Sequence, residues 1–402
     1  MEQTIKDRIL QIGKREMPEG YVKSVVGIVP ADWKHYTFGD IYSERKEPGN
    51  ENLPLLMVSI HSGVSDGKVD EDKLTKRTKQ IEDKSQYKKA VTGDLVLNMM
   101  RAWQGAIGTV RTTGMVSPAY IVAEPDDKIY PPFMDYFTRI PRMINQIDRQ
   151  SYGVTDFRKR LYWASFIIID CILPPIEEQQ KIAAILTTQD KVIELKEKRL
   201  AEKLRQKKYL MQQLLTGKKR LPGFTFEVEE TNIKAISTYS VSTISQTTLD
   251  SYEGKRLYPV FNANSIGGYV DFYQNKCPYV SIIKDGAGIG RVRLCEAKSS
   301  TIGTMGCIHA RKGISIIFLY YLLEQVDFGK YSNGSTIPHL YYKDYSCEKV
   351  RVPDLQEQTA IAQVLSTADR EISLLRQDIE QEKQKKKALM QLLLTGIVRV
   401  KI

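Results

Sequence analysis

Three short stretches of this 402-residue chain carry residue types that can do chemistry, and each is tested by its surroundings. Gly286-Ala-Gly288-Ile-Gly290 has the glycines of a phosphate cradle, in which backbone N–H groups close on an anion at the start of a helix. The next residues, Arg291-Val-Arg-Leu-Cys295, alternate like a strand, so the glycines read as a tight hairpin turn. Asp70-Glu71-Asp72-Lys73 contains a nuclease-like Glu-x-Lys, a string that charged loops also produce by chance. Cys307-Ile-His309 is the nearest approach to a metal cluster, and no second pair stands at zinc spacing. The other histidines (His35, His61, His339) are scattered, with no serine or cysteine elbow to activate and no P-loop lysine motif anywhere. The sequence therefore predicts no catalytic centre, no cofactor and no metal within this chain.

The charge balance points to a polyanion instead. Lysine and arginine exceed the acidic residues by 11, and phosphate neutralisation by such residues supplies much of the affinity for nucleic acid. Arginine forks suit guanine, amides suit adenine, and small polar or basic groups hold phosphates. The candidate DNA contacts are such residues on loops: Arg101, Trp103 and Gln104, then Tyr152, Thr155, Arg158, Lys159 and Arg160 in the first half. In the second half they are Lys284, Arg291 and Arg293, then Tyr331, Asn333, Ser335, Thr336 and His339. Ser117-Pro-Ala-Tyr120 comes near the clamp that holds a base amino group for methylation, but it lacks the second proline and a preceding glycine-rich methyl-donor loop. The five cysteines are widely spaced without a CxxC pair and read as small apolar residues in a reducing compartment. The absence of an apolar leader or a long uncharged apolar run predicts a cytosolic protein with no membrane contact.

The elements that must position these residues emerge from a repeat. Pro174-Pro-Ile-Glu-Glu-Gln-Gln-Lys-Ile-Ala-Ala-Ile-Leu186 returns as Pro353-Asp-Leu-Gln-Glu-Gln-Thr-Ala-Ile-Ala-Gln-Val-Leu365, at an offset of 179 positions (357 − 178). The match runs without a gap to Leu214-Leu-Thr-Gly217 and Leu393-Leu-Thr-Gly396. Each copy reads as one long helix, with proline before the start, acidic and amide residues in the first turn and glycine at the left-handed cap. About forty residues make a rod of about 60 Å. Ile361, Leu365, Ala368, Ile372, Leu375 and Ile379 form a heptad-like stripe, and Ile182, Leu186, Ile193 and Leu200 form its counterpart, interrupted by Gln189, Lys196 and Lys203. This predicts two antiparallel long helices, which carry Glu178, Gln179, Ile182, Leu186, Leu214, Glu357, Gln358, Ile361, Leu365 and Leu393. The lysine-rich runs 203–208 and 383–387 read as a solvated face.

The helices divide the chain into 1–22, an N-terminal helical segment; 23–173, a first recognition domain; 174–217, the central spacer helix; 218–352, a second recognition domain; 353–396, the C-terminal spacer helix; and 397–402, a tail. Both domains share an order of features. A strand follows a proline (Pro54 or Pro259), and a second apolar strand leads through a glycine turn to a third. Next come a short aromatic helix (133–137 or 318–321), a polar glycine loop, and then Leu161-Tyr162-Trp163 or Leu340-Tyr341-Tyr342. The fold class is α+β, internally duplicated with pseudo-twofold symmetry.

The Pro-Pro-Ile-Glu-Glu-Gln-Gln-Lys-Ile-Ala entry, the Leu-Leu-Thr-Gly helix end and their second copy resemble specificity subunits of type I restriction-modification systems, as do Val116 to Tyr120 and Gly286 to Gly290. The resemblance covers essentially the whole chain. It implies two target recognition domains, each reading one half of a split site in double-stranded DNA. It also implies that the helices act as spacer and, through those ten residues, as docking surface for two methyltransferase subunits, which would bind S-adenosylmethionine, with restriction and translocase subunits joining that core. The second domain lacks the Ile-Pro-x-x-Trp type of opening that the first keeps as Val29-Pro30-Ala-Asp-Trp33, which leaves its start open. Three alternatives stay open at this point: a nuclease-free methylation or phage-defence complex, a scaffold that binds protein and not DNA, and a self-contained DNA enzyme that acts without any partner.

Overall fold

The computed structural model describes residues 2–60, 63–65, 84–155, 158–225, 228–286, 288–334 and 337–400. The candidate residues Ser335 and Thr336, His61 and the Glu-x-Lys string at 71–73 lie outside them. By internal contacts the chain forms two units, Met1–Leu195 with Ile379–Ile402, and Lys196–Asp378. Both boundaries fall inside the two long helices, Ile176–Leu214 and Leu355–Leu393, so each unit holds one domain and one half of each helix. No described helix is long and apolar enough to cross a membrane.

Each unit is built around a four-stranded antiparallel sheet of the same strand order. In the first the order is Tyr42–Glu44, Tyr120–Pro125, Leu95–Asn98 and Ile107–Thr109. In the second it is Ser237–Val241, Met305–Ala310, Tyr279–Ile283 and Val292–Cys295. Leu95–Asn98 and Tyr279–Ile283 lie inside their sheets and every residue of both is buried, which is why they read as near-continuous apolar runs and not as alternating ones. Gly286, Gly288 and Gly290 turn between two antiparallel strands, as expected of a hairpin and not of a phosphate cradle. A short helix covers each sheet, Pro131–Phe137 in the first unit and Ile316–Gln325 in the second.

The pairing also fixes where each domain opens. Lys34–Thr37 pairs with Asp170–Leu173, and Glu229–Asn232 pairs with Lys349–Val352 in the same register. The first domain's strands therefore begin well before Pro54, and the strand Tyr21–Ser24 straddles the expected boundary between the helical segment 1–22 and the domain; the helix itself is Glu2–Gly13. Lys34-His-Tyr-Thr has no apolar alternation, so its strand state is set by its partner and not by its own pattern. By that register Val228 stands where the first domain has Trp33.

Each core runs continuously from the domain into the helix halves of its own unit. Phe133, Phe137 and Leu161 cluster with Ile182, Leu186 and Leu393 in the first; Phe318, Leu322 and Leu340 cluster with Leu214, Ile361 and Leu365 in the second. The contacts also show the helix halves to be antiparallel within each unit. The polar breaks in the stripe are satisfied across the pair: Gln189 Nε2 donates to Glu382 Oε2 at 2.7 Å, Lys196 meets Asp378 at 2.8 Å and Lys203 meets Glu371 at 2.6 Å. Several lysines of the basic runs thus face the neighbouring helix, where a solvated face was expected. Gly217 and Gly396 take positive φ (68° and 72°), and Lys219 N and Val398 N reach back to Gln213 O and Leu392 O, closing both helices with the same cap.

Candidate nucleic-acid interface

Each domain is tied to the long helices by an anchor at the helix starts, repeated in the two units. Glu178 is fully buried and accepts from Arg399 through Nε at 2.8 Å and Nη2 at 2.7 Å; Trp33 Nε1 adds a third bond at 3.2 Å. Arg399 also grips both oxygens of Asp32, holding that carboxyl below its usual range, while Glu178 pushes the Arg399 guanidinium up. At the equivalent positions, Glu357 standing 179 after Glu178 and Arg220 standing 179 before Arg399, Arg220 Nε donates to Glu357 Oε1 at 2.7 Å, with Glu357 likewise buried. Gln179 accepts from Tyr130 N and donates to Lys128 O and Pro174 O; Gln358 accepts from Ser315 N and donates to Gly313 O and Pro353 O. Further along each helix, Tyr136 donates to Asp190 (2.8 Å) under Lys386, and Tyr321 donates to Asp369 (2.7 Å) under Lys207.

This anchor corrects the expectation for the spacer helices. All ten residues assigned to a partner-docking surface (Glu178, Gln179, Ile182, Leu186, Leu214, Glu357, Gln358, Ile361, Leu365 and Leu393) are buried within their own units. A side chain without solvent exposure cannot meet a partner, so these residues join each domain to its helices, and any docking surface must use other positions.

The same frame brings the predicted contacts together at one end of each sheet. In the first unit, Arg101, Trp103 and Gln104 sit on the turn after Leu95–Asn98, and Leu161 N donates to Met99 O at 2.9 Å, seating the 151–160 loop beside that turn. Tyr152 and Arg160 exchange backbone bonds across the loop mouth, and the Lys159 ammonium lies 5.4 Å from the Trp103 ring centroid. Arg101, Gln104, Tyr152, Thr155, Arg158 and Arg160 are exposed. Trp103 is half-buried, its indole N–H donating to Met100 O, and Lys159 is paired with Asp148 at 2.9 Å.

The second tip has the same skeleton and different chemistry. Leu340 N donates to Lys284 O at 2.8 Å, the counterpart of the Leu161 bond, and Gly286 N donates to Pro338 O. Asp285 lies between Lys284 and His339 (2.8 Å to the imidazole), and although burial opposes it, the bonds from these two side chains hold its carboxyl below the usual range. Several candidates are tied inside the unit. Arg293 donates to the carbonyls of Asn262, Asn264 and Ser265 and stacks on Phe261; Tyr331 donates to Glu348, which raises its hydroxyl to about 12; Asn333 bonds to Asp344. Arg291 remains exposed beside the glycine turn. Arg293 and Tyr331 therefore shape the tip, a role their residue types alone did not reveal.

Two further tip residues were missed. Tyr162 and Tyr341, 47% and 50% exposed, follow the seated leucines at equivalent positions in the two domains. The repeated Leu-Tyr was visible at the offset of 179, but exposure was not. Of the cysteines, Cys171, Cys295 and Cys307 are buried as expected, with burial raising each thiol, whereas Cys277 and Cys347 are exposed.

Comparison with known proteins matches this organisation. The family model for the type I restriction modification DNA specificity domain matches the chain twice, over residues 68–205 and 227–384. The type I restriction enzyme MjaVIII specificity subunit of Methanocaldococcus jannaschii is 23% identical, with 93% of this chain and 94% of that one covered. The S subunit of the type I restriction-modification system of M. genitalium shares the fold at a TM-score of 0.57, with 14% identity over 92% of this chain and 96% of that one. A chain from a structural study of assembly and conformational transition in a type I R-M system superposes at 0.56, with 15% identity over 92% and 99%.

Proposed function

The chain belongs to the family of type I restriction-modification DNA specificity subunits, its specificity domain present twice, and from that premise we propose that its two tips read the two halves of a split DNA site. The observation that carries this reading is the contrast within one frame: the backbone seat of each tip is the same, while the exposed side chains on it differ. A shared scaffold with divergent loops lets one architecture read two unrelated base sequences. Arg101, Gln104, Arg158 and Arg160 are the proposed contacts of the first tip, with Tyr152 and Thr155 beside them. Lys284, Arg291 and His339 serve the second, and Tyr162 and Tyr341 contact the backbone or bases at equivalent places in both.

The long helices are proposed to set the unread gap between the half-sites and to present their exposed faces to two methyltransferase subunits. Because the two units repeat the same anchors in circularly permuted order, two identical partners can find equivalent surfaces. The methyl transfer and its S-adenosylmethionine belong to those partners, and restriction subunits join through them. The chain itself contributes recognition and spacing.

The test is binding of the chain, copurified with its methyltransferase, to duplex DNA over a range of salt. Affinity is expected to fall steeply and linearly on a log–log plot, with a slope of about 0.9 per phosphate neutralised. A flat response would leave the tips without a polyanionic partner.

A further inference from the structure

The duplication supplies a control for every surface, and one groove fails to match its copy. In the first unit a groove of about 580 Å³ runs between the start of the helix Pro141–Arg149 and the C-terminal long helix. Arg139, Arg142, Lys383, Lys386 and Lys387 line it, and no carboxylate does. Its apolar floor is Ile140 and Met390. Arg139 and Lys386 are each bonded to a carboxylate outside the lining, Asp135 and Asp190. Arg142 differs: its Nη1 reaches Val26 O at 3.4 Å, and its Nε and Nη2 are buried, with no hydrogen-bond partner among the described residues.

The equivalent groove in the second unit has the other character. Tyr136 and Tyr321 make the same bond, so Glu324 stands for Arg139 and Asp327 for Arg142; Leu204 stands for Lys383 at the offset of 179. Glu324 neutralises Lys207 at 3.0 Å, and Asp327 turns its carboxylate onto Gly329 N. Lys207 and Lys208 keep the places of Lys386 and Lys387, so the positive charge is cancelled there and not reversed; two partners bound to equivalent surfaces would not require such a loss of charge. The asymmetry fits something present once.

We propose that the first unit's groove docks an acidic segment of a partner protein, with an apolar side chain seated on Met390 and Ile140 and its carboxylates on the surrounding cations, once per chain. This rests on the reading of the chain as a specificity subunit that two equivalent methyltransferases bind. A concave site with an apolar floor suits a peptide side chain better than a duplex, whose phosphates would engage the rim and leave the floor empty.

The experiment uses the copurified complex and a short fluorescein-labelled peptide of glutamates around one central leucine, with binding and stoichiometry read by anisotropy. One peptide per specificity chain is expected. Lys383→Leu/Lys387→Glu is expected to weaken it by about tenfold or more, and replacing the central leucine by serine is expected to weaken it too. Leu204→Lys/Glu324→Arg/Asp327→Arg, which gives the second groove the charges of the first, is expected to raise the stoichiometry from one to two. The proposal is overturned by no binding, by two peptides on the unaltered complex, by indifference to Lys383→Leu/Lys387→Glu, or by displacement of the peptide by inorganic phosphate or duplex DNA at equal charge. Base methylation mapped on the same preparations judges the underlying reading separately. A wild-type complex without a bipartite motif would refute the specificity reading while peptide stoichiometry still decides the groove.

Discussion

The helix starts and the tips of this protein have diverged to very different degrees. At the helix starts the two units agree nearly bond for bond: Glu178 with Arg399 and Glu357 with Arg220, Gln179 and Gln358 each closing the same three backbone groups, Tyr136 and Tyr321 each on an aspartate. At the tips only the backbone seat is shared, Leu161 on Met99 and Leu340 on Lys284. Buried polar networks tolerate little change because a half-satisfied one is worse than none. Exposed loop side chains carry no such constraint. The difference separates what assembles the chain from what distinguishes its two halves.

Breaking the shared part should damage both halves alike. Leu186→Ala and Leu365→Ala, both at fully buried positions, are expected to destabilise by about 3 kcal/mol each, measured by urea unfolding. A marked inequality between them would mean that the two cores are not equivalent. Glu178→Gln is expected to cost about 2 kcal/mol, less than for a fully enclosed pair because Arg399 keeps 30% of its side chain exposed. Glu357→Gln should move in the same direction.

Breaking the divergent part should be local. Arg101→Ala or Arg160→Ala is expected to reduce discrimination by about 1–3 kcal/mol in one half-site and leave the other as it was. Competition between duplexes altered in a single half-site reads this directly; loss in both halves would contradict separate readers. The smallest effect sharpens the comparison: Tyr136→Phe and Tyr321→Phe each remove one hydroxyl from the same bond and should cost about 1 kcal/mol, with thermal melts of the two variants shifting equally.

Much of this organisation was legible because duplication writes it twice. Pro174 and Pro353, the glutamate–glutamine pairs and Leu-Thr-Gly mark the helices without any knowledge of their surroundings. The function of those same residues was not legible. Glu178 and Gln179 look like exposed first-turn residues until Arg399 and the carbonyls of Lys128 and Pro174 enclose them. The tips were half legible for the same reason: Arg293 is claimed by carbonyls about thirty residues away, and His339 by Asp285, which no local pattern announces. Lys34–Thr37 became a strand only through Asp170–Leu173.

The central claim, two readers separated by helices of set length, is tested most directly by mapping methylated bases in DNA modified by this chain with its methyltransferase. The map should be made before and after deleting one four-residue turn from each long helix. The account predicts a bipartite motif with a fixed gap, and a gap altered by about one or two base pairs after shortening of about 6 Å, with both half-sites unchanged. A single continuous motif, or half-sites that change with helix length, would contradict it.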